Sequence, residues 1–485
     1  MSKVAVIIGS GPDELAAAHT LACGGVRVRM LRSTAAPVQC AGWVPPCIVR
    51  ALGLNPLGYK IDVSDPWAVA PLPGGGRLAL SHDIAKTVRA IHAVSPHDAS
   101  RWAAFCERMH ALAGLLEHLY SRPPLDPLTH EKRGYLELGR TAWRVRKLGR
   151  SVMEDLLRVL PMSVSDLLDD WFESDALKGM LGAAGVMHLH QGPRAGGTAF
   201  NFLHHHVGSP KGVFRPPRSN AYALLSACSA ADVIDAQVMR IDVRQGRAAG
   251  VVLSNGDTIA ASVVLSGAHL QRTLLEWIDP GWLDPELVRA VRNVRSRGVV
   301  TQLKLTLDAD PGFNCLVIAP SLDALERAYD AAKYGRISAA PYIEASHIGP
   351  ARDGRHEVRV HVQYTPHAIA DAWDTDQAQK LARRIVGRLA QEAAGFSEAV
   401  IGQEVLTPLD LEHIHACPQG QVYHAELMLD QMLWMRPVPA LAQYRTPIEG
   451  LYLCGPAMHP GGGIVGAAGA YAARAALRDI RTDSA

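Results

Sequence analysis

Three consecutive glycines near the carboxyl end of the chain have the residue types and spacing that suit the binding of a large, flat ligand. Gly461, Gly462 and Gly463 stand between a short apolar strand and a helix of small residues. Glycine lacks a Cβ atom, so the backbone can approach a ligand closely at these positions. The helix that follows offers unpaired N–H groups and the positive end of its dipole to electron-rich atoms. The pattern therefore predicts a backbone that approaches a flat, electron-rich molecule.

The amino end of the chain carries the matching half of such a site. Residues 4–8 predict a fully buried strand, and Gly9 and Gly11 lead from it into an alanine-rich helix at 15–23. This is the opening of a dinucleotide-binding domain. A lone Gly-x-Gly is a weak signal. Together with a glycine-rich element roughly 450 residues later, it predicts a nucleotide domain whose two sequence ends meet in space, with other material inserted between them.

Histidines are concentrated at two further places. His204, His205 and His206 are consecutive, and His188 and His190 are spaced by two, which would place both on one face of a strand. Consecutive residues point in different directions, and no carboxylate or cysteine stands at a regular spacing from them. We therefore expect structural or substrate-side roles for these histidines and predict no metal site.

The elements that must position these residues follow from local patterns. Apolar residues at steps of three and four predict a helix at 95–118, and a second helical region with Ser165 as its N-cap is expected at 150–184. Asn255-Gly256 favours a type I′ turn in a strand-rich region. A second, substrate-side sheet with one helix packed on it is expected from residues 297–307, 358–364, 402–406 and 375–393.

Composition limits the class of protein. The 485 residues suggest two to three domains, and 48% hydrophobic with 20% charged residues is ordinary for a globular chain. The formal charge of +2 argues against a nucleic-acid partner. Eight cysteines without a Cys-x-x-Cys pair indicate neither a zinc site nor a redox dithiol, and neither a signal peptide nor a run of about 18 apolar residues is present. We expect a cytoplasmic protein.

Longer segments carry a family resemblance. The most specific one is Met435-Arg-Pro-Val-Pro439, followed by Cys454-Gly455 and by the loop of His459, Pro460 and the three glycines. Other segments with the same character lie at 95–105, 165–178, 192–199, 403–412 and 423–431. The chain resembles the phytoene desaturase-like FAD oxidoreductases, in the branch of the carotenoid ketolase-like and pyridine nucleotide-disulfide oxidoreductase domain 2-like proteins.

The resemblance implies an α/β fold in which a Rossmann-like FAD-binding domain of the glutathione reductase type is interleaved with an α+β substrate domain. The FAD-binding domain is expected to be discontinuous, at residues 1–75, 192–290 and 445–485. The substrate domain is expected at residues 76–191 and 291–444.

The resemblance also implies which residues bind FAD. At some of these positions this chain departs from the family pattern. The FAD contacts are expected at Gly9, Gly11, Arg32, Val238, Gly455, His459, Pro460, Gly461, Gly462 and Gly463, with Val238 bringing backbone to the adenine. The third fingerprint glycine is replaced by Glu14, which opposes a pyrophosphate. Arg32 stands where a glutamate would accept from the ribose hydroxyls, and a guanidinium has no acceptor. The expected Gly-Gly segment is replaced by residues 37–43.

Three interpretations of these departures remain open. FAD is bound with an altered adenosine end and weakened affinity, or the fold is kept as a scaffold after FAD binding was lost. In the third, a different nucleotide is bound, because an arginine at this position accommodates the 2′-phosphate in NADP sites.

His424 and Glu426 are the candidate catalytic residues, because the family places this segment at the active-site cavity, where either could position substrate or move a proton. The expected function is an FAD-dependent oxidoreductase of dehydrogenase, desaturase or isomerase type, with a small and possibly apolar substrate. The alternative is a cofactor-poor or non-catalytic homologue that serves as partner subunit of a flavin-competent oxidoreductase. A homo-oligomer is also open, and any membrane contact is expected to be peripheral.

Overall fold

The structure is a computed structural model that describes residues 4–32, 42–126, 132–147, 149–228, 231–351, 353–370 and 372–482. The strands are β1 (Val4–Ile8), β2 (Arg27–Arg32), β3 (Ala68–Pro71), β4 (Arg77–Leu80), β5 (Asp232–Asp235), β6 (Val238–Arg244), β7 (Arg247–Leu253), β8 (Thr258–Ala260), β9 (Val263–Ser266), β10 (Val300–Leu307), β11 (Cys315–Ile318), β12 (Tyr342–Pro350), β13 (His356–Gln363), β14 (Val400–Leu406) and β15 (Leu451–Leu453).

The helices are α1 (Pro12–Cys23), α2 (Pro46–Ala51), α3 (Ile84–His92), α4 (Pro96–Tyr120), α5 (Lys132–Lys147), α6 (Arg150–Val159), α7 (Val164–Asp169), α8 (Asp175–Val186), α9 (Thr198–His206), α10 (Ala221–Ala227), α11 (Pro285–Arg292), α12 (Leu322–Lys333), α13 (Thr375–Ala390), α14 (Phe396–Ala399), α15 (Pro408–His415) and α16 (Ala467–Thr482). One π-helical turn (Arg272–Glu276) and four 3₁₀ turns (Pro280–Trp282, Leu429–Gln431, Leu433–Met435 and Pro439–Leu441) complete the described elements.

A five-stranded parallel sheet joins the two ends of the chain. Its strand order is β15-β9-β1-β2-β5, and all four pairings are parallel. β1 is central because its apolar residues Ala5, Val6 and Ile7 are fully buried. The helices α1 and α16 come into backbone contact, since a Cβ added at Gly469 would overlap the Asp13 carbonyl oxygen. The Rossmann-like nucleotide fold and the meeting of the chain ends are therefore confirmed.

A second, mixed sheet has seven strands in the order β14-β10-β13-β12-β11-β3-β4. The expected substrate-side strands are present as β10, β13 and β14. α13 packs on this sheet through Leu381, Ile385 and Leu389, which are buried with the apolar side chains of β10 and β13. β3, from the region assigned by sequence to the nucleotide domain, is hydrogen-bonded into this sheet next to β11.

The expected helical region at 150–184 is present as three helices, α6, α7 and α8. Its predicted N-cap is wrong, because Ser163 caps α7 in place of Ser165 through a hydroxyl that accepts from the Asp166 N–H. Asn255 and Gly256 lie in the connection that closes the antiparallel pair β7 and β8, but only Gly256 has positive φ (88°), so the expected type I′ geometry is wrong. A type I′ turn forms instead at Gln245-Gly246, where both residues have positive φ (52° and 76°) and join β6 to β7.

The described helices include none with the length and apolar character that crossing a bilayer requires. Seven cysteines lie in the described part of the chain, and no disulfide joins any two of them.

Candidate cofactor site at the carboxyl ends of the parallel strands

The carboxyl ends of β1, β9 and β15 meet at one edge of the parallel sheet, which is where open α/β sheets bind ligands. The turn from Gly9 to Gly11 leaves β1, Gly267 follows β9, and Gly455 follows β15. A Cβ added at Gly455 would overlap the Gly267 carbonyl oxygen, so the two strand ends are in direct contact. We call Gly9, Gly11, Gly267 and the first turn of α1 the cradle.

The Glu14 side chain fills the cradle. A Cβ added at Gly267 would overlap Glu14 Oε1, one at Gly11 would lie 2.6 Å from Oε2, and one at Gly9 would lie 3.0 Å from Cγ. The side chain is 5% exposed. Burial raises the pKa of Glu14 to about 7, against a smaller opposing effect of the Glu14 and Gly11 backbone N–H groups that donate to it. The chain's own carboxylate thus takes the unpaired donors of the α1 N-terminus.

Asp13 lies beside Glu14 and faces the start of α16. Its burial raises the pKa well above the ordinary value, and the negative charge of Glu14 raises it further. The backbone N–H groups of Gly466, Ala468 and Gly469 act in the opposite direction. The N-termini of α1 and α16 therefore both face carboxylates of the chain itself.

Arg32 and Val238 lie beyond the cradle. Arg32, at the end of β2, pairs with Asp235 at the end of β5 through Nε and Oδ1 at 2.7 Å and a second hydrogen bond at 3.1 Å. Both side chains are about half exposed. Val238 opens β6 and pairs with Leu253 of β7. The expected Gly-Gly segment is replaced by residues 37–43, and of these, residues 37–41 lie outside the described residues.

The three glycines form a loop that is covered by side chains of the chain itself. A Cβ added at Gly462 would overlap the Tyr423 ring, so this ring lies directly on the glycine backbone. His204 Nε2 donates to the Gly462 carbonyl oxygen at 2.8 Å, and His204 Nδ1 accepts from the Tyr120 hydroxyl at 2.9 Å. Burial lowers the pKa of His204 to about 4. Because the imidazole is neutral, these two partners fix its tautomer.

Arg436 packs against Gly461 and binds backbone carbonyl oxygens directly before the loop. Its guanidinium is fully buried and donates to six backbone carbonyl oxygens, at distances of 3.0 to 3.4 Å, from Tyr423, Ala425, Glu426, Gln431, Pro456 and Met458. Burial lowers the pKa of Arg436 to about 10, so the side chain stays charged at neutral pH. The arginine therefore joins the segment of the candidate catalytic residues to the strand–loop connection after β15.

His459 and Pro460 are joined by a cis peptide bond at the start of the glycine loop. His459 Nε2 lies 3.2 Å from the Arg122 carbonyl oxygen, and the Tyr444 hydroxyl donates to the His459 carbonyl oxygen. Burial lowers the pKa of His459 to about 3. The neutral ring therefore ties the loop to the turn after α4.

The two candidate catalytic residues are in different environments. Glu426 is fully buried, and Arg297 donates to its carboxylate from Nε (2.7 Å), from a terminal nitrogen (2.9 Å) and from its backbone N–H (3.1 Å). This carboxylate is saturated with donors and suits a structural role. His424 has a positive φ of 57°, and burial, with help from His269, lowers its pKa to about 3. The neutral imidazole can accept or donate a hydrogen bond without changing its charge, and it becomes a cation only when it takes up a proton.

A wall of neutral rings continues from the loop toward the seven-stranded sheet. The ring centroids of Tyr423 and His188 lie 4.6 Å apart, and those of His188 and His361 lie 4.8 Å apart. His205 lies 6.1 Å from Tyr423. Burial lowers the pKa of His188, His205 and His361, so these rings are uncharged at neutral pH. His188 lies in a turn after α8 with φ of 58°, which makes the expected strand geometry wrong.

Two groups of side chains in the described residues approach closely enough to share a cation. They are Asp310 with His347 and His356, and His97 with Asp98 and Glu173. Neither group includes the histidines singled out by the sequence.

The cradle and the loop do not fit a bound dinucleotide as they stand. Glu14 occupies the place of the pyrophosphate, and the Tyr423 ring lies on Gly462. Two small pockets of the described residues lie around Trp67 and Arg215, and neither is lined by a residue of the cradle or the glycine loop. A dinucleotide therefore requires that side chains of the site move.

Sequence reasoning missed several residues that determine this site. Tyr423 and Arg436 lay inside segments recognised as family-specific, but no pattern indicated that one covers the glycines and the other binds six carbonyls. No sequence pattern indicated a role for Gly267, which follows β9. Glu14 was identified as a departure, while its position inside the cradle depends on the neighbouring Gly9 and Gly11 and on Gly267, which is distant in sequence.

Comparison with known proteins identifies the family. No protein-family model matches the chain. It is 31% identical over 484 residues, with 90% of this chain and 83% of the relative covered, to pyridine nucleotide-disulfide oxidoreductase domain-containing protein 2 of Rattus norvegicus. It is also similar to a limonene dehydrogenase subunit of Castellaniella defragrans (32% over 117 residues, 24% and 21% covered) and to a lycopene-forming phytoene desaturase of Pantoea ananas (31% over 139 residues, 28% and 27% covered).

The fold is shared with solved structures of low sequence identity. Putrescine oxidase with bound putrescine superimposes with a TM-score of 0.61 at 14% identity, covering 99% of both chains. This likeness shows the fold alone. The near full-length match at 31% identity goes further, and the chain belongs to the family of the pyridine nucleotide-disulfide oxidoreductase domain-containing protein 2, among the FAD oxidoreductases.

Proposed function

We propose that the chain is an FAD-dependent oxidoreductase of dehydrogenase, desaturase or isomerase type that acts on an apolar or extended unsaturated small molecule. The observation that carries the proposal is the loop from His459 to Gly463, positioned after β15 in a chain that matches its relative over 90% of its length. Two other relatives are named for limonene and phytoene, which supports an apolar substrate.

The chain's own residues define what this site offers a substrate. His188, His205 and Tyr423 form a neutral, aromatic wall next to the loop, and such a wall favours uncharged groups over ionised ones. His424 is the candidate residue for holding or moving a proton, because its buried Nδ1 atom has no hydrogen-bond partner among the described residues. Flavin, when bound, supplies the hydride acceptor, so a protein base is not obligatory.

The affinity for FAD is proposed to be weak. Glu14 must leave the cradle before a pyrophosphate can use the α1 N-terminus. Arg32 is engaged by Asp235 across the sheet and presents no acceptor for the ribose hydroxyls. Both effects act on the adenosine half of the cofactor.

A visible spectrum of the purified chain tests the proposal. Flavin absorbs at about 450 nm, and binding to the protein should change this band during a titration with FAD, with an affinity in the micromolar range, about −8 kcal/mol. A colourless protein that leaves the flavin band unchanged at saturating concentration would contradict the proposal.

The second candidate function is a non-catalytic partner subunit of a flavin-competent homologue. The filled cradle favours it, and one relative is named as a subunit of a dehydrogenase. An exposed apolar surface on α5 and α6, with Tyr135, Trp143 and Leu157, is available for a partner or a membrane surface. Co-expression with a homologous oxidoreductase distinguishes this candidate, because the two chains should then co-purify with flavin. A homo-oligomer is the third possibility that the same measurement resolves.

We also place the chain in the cytoplasm. No disulfide joins any two of the seven described cysteines, which suits a reducing compartment. Fractionation of the source cells tests this location, and secretion of the chain would contradict it.

A further inference from the structure

The cradle is the place where the chain and the cofactor of its family are in direct conflict. In a dinucleotide fingerprint the first glycine makes the tight turn, the second lets the backbone approach the pyrophosphate, and the third lets the helix pack closely on the strand. The pyrophosphate then lies at the helix N-terminus. Here two of these glycines remain as Gly9 and Gly11, and the third is replaced by Glu14. We infer that the Glu14 carboxylate is a built-in occupant of the pyrophosphate position and that this one side chain controls whether the chain takes up a dinucleotide.

The position of the carboxylate carries the inference. Its two oxygens lie against Gly11 on one side and Gly267 on the other, so they stand between the ends of β1 and β9. β1 and β9 are neighbouring strands of the five-stranded sheet, and their carboxyl ends lie at the edge where such sheets bind ligands. A side chain in the first turn of a helix can also point into water, and α11 shows this with its exposed Glu286.

The donors of the carboxylate are those that a phosphate would use. The backbone N–H groups of Gly11 and Glu14 lie at the start of α1 and donate to the Glu14 carboxylate. The N-cap residue Gly11 has no side chain that could satisfy them. A buried carboxylate without donors would be costly, so the two N–H groups explain why Glu14 stays inside.

The glycines of the cradle consequently serve the chain itself. Any side chain at Gly267 would collide with the carboxylate, and one at Gly11 would come within 2.6 Å of it. Small residues at these positions therefore no longer show that a nucleotide binds. They show that something occupies the space, and in this chain it is Glu14.

The charged and titratable groups that face Glu14 come from several elements. Asp13 is its neighbour on α1, Tyr222 lies on α10, and Cys454 follows β15. The Glu14 charge raises the pKa of each of them. A dianionic pyrophosphate approaching this group meets two carboxyl groups and no side-chain cation among these neighbours, so its binding should weaken as Glu14 ionises.

The test is titration of the full-length chain with FAD, with ADP as the probe for the adenosine diphosphate half. Glu14→Gly should bind FAD more tightly than the native chain, by about tenfold or more. Glu286→Gly is the matched control, since it places glycine in the first turn of another helix and should leave FAD affinity unchanged. Glu14→Gln keeps the volume without the charge and should bind FAD with an affinity that no longer falls as the pH rises through about 7, unlike the native chain.

The outcomes separate this inference from the proposed function, on which it rests only for the choice of FAD as probe. Tight FAD binding by the native chain that Glu14→Gly does not improve overturns the inference and leaves the proposed function standing. Folded Glu14→Gly protein, checked by melting, that binds neither FAD nor ADP better than the native chain also overturns it. If Glu14→Gly does not fold, the test is the pH dependence of FAD affinity in the native chain and in Glu14→Gln. Equal slopes of FAD affinity against pH in these two proteins overturn the inference.

Discussion

The cradle and the glycine loop both follow strands of the parallel sheet and both are built on glycines, yet they are filled by side chains of opposite character. The cradle holds an ionisable carboxylate, Glu14, that competes with any phosphate for the N–H groups of α1. The loop holds an uncharged ring, Tyr423, and is braced by the buried Arg436. Glycines therefore report a close approach, and the identity of the approaching group has to be read from the structure.

The two regions also differ in the groups that fix them in place. The loop is fixed by hydrogen bonds from His204 and Tyr444 to its own carbonyl oxygens, and by Arg436, which donates to the carbonyl oxygens of Pro456 and Met458 directly before it. The cradle is closed by one side chain that burial drives toward its neutral form. We expect the loop to be the rigid half of the site and the cradle to be the half that changes with pH.

The largest effect is expected at Arg436. Arg436→Met removes a buried guanidinium that donates to six carbonyl oxygens and leaves these acceptors unsatisfied. We expect a loss of about 3–5 kcal/mol in the free energy of unfolding. Urea denaturation followed by circular dichroism measures it. Arg383→Met, an exposed arginine on α13, is the control and should stay close to the native value. Equal stability of the two variants would show that the loop is not held in this way.

The next effect is the pH dependence contributed by Glu14. Its folded pKa of about 7 lies above its ordinary value of 4.5, so the stabilisation is complete below pH 4.5 and is lost as the pH rises to about 7. Each pKa unit corresponds to about 1.4 kcal/mol, which makes the loss about 3 kcal/mol. Asp13 is shifted in the same direction and adds to the trend.

Melting of the native chain and of Glu14→Gln between pH 5 and pH 8 measures this contribution. The variant should be the more stable protein at pH 8 and should lose most of its advantage at pH 5. Parallel curves for the two proteins would mean that Glu14 is ionised in the folded chain at all these pH values, and the contrast between cradle and loop would fail.

The smallest effect is expected at Gly462. Gly462→Ala places a methyl group against the Tyr423 ring and should cost about 1–3 kcal/mol through overpacking. In a Tyr423→Ala background the same change should cost clearly less, because the ring is absent. Thermal melting of the four proteins gives this double-mutant cycle. A cost that is independent of Tyr423 would show that another group, or a bound ring, lies on Gly462.

The elements that the sequence predicted well are those with strong local patterns. The continuous apolar run at 4–8 predicted a buried strand, and it forms the centre of the parallel sheet. The periodic helix expected at 95–118 is present as α4, capped by Ser95. Ser165 was the wrong cap, because Ser163 and Asp166 satisfy the same pattern two residues earlier. Short patterns such as these are ambiguous within a turn of helix.

The structure brings together some of the glycines that the sequence assigned to the site, and their contacts could not be predicted. Gly9, Gly11 and Gly455 come together at one edge, as the family pattern implies, and the glycine loop stands next to them. Glu426 was singled out for chemistry, but the structure places it in a saturated pair with Arg297, 129 residues away in sequence. Arg32 finds its partner Asp235 only because β2 and β5 are neighbours in the sheet.

The sequence by itself determined the family, the two glycine-rich elements and the presence of an acidic residue where the fingerprint has glycine. The direction of that acidic side chain was decided by tertiary structure alone. Whether Glu14 points outward or into the cradle depends on the space left by Gly267 and on the free N–H groups at Gly11, and these come together only when β1 and β9 pair. The donors are local, but the space that makes burial of the side chain possible is left by Gly267, about 250 residues away, so no local pattern contains the balance between desolvation and hydrogen bonding.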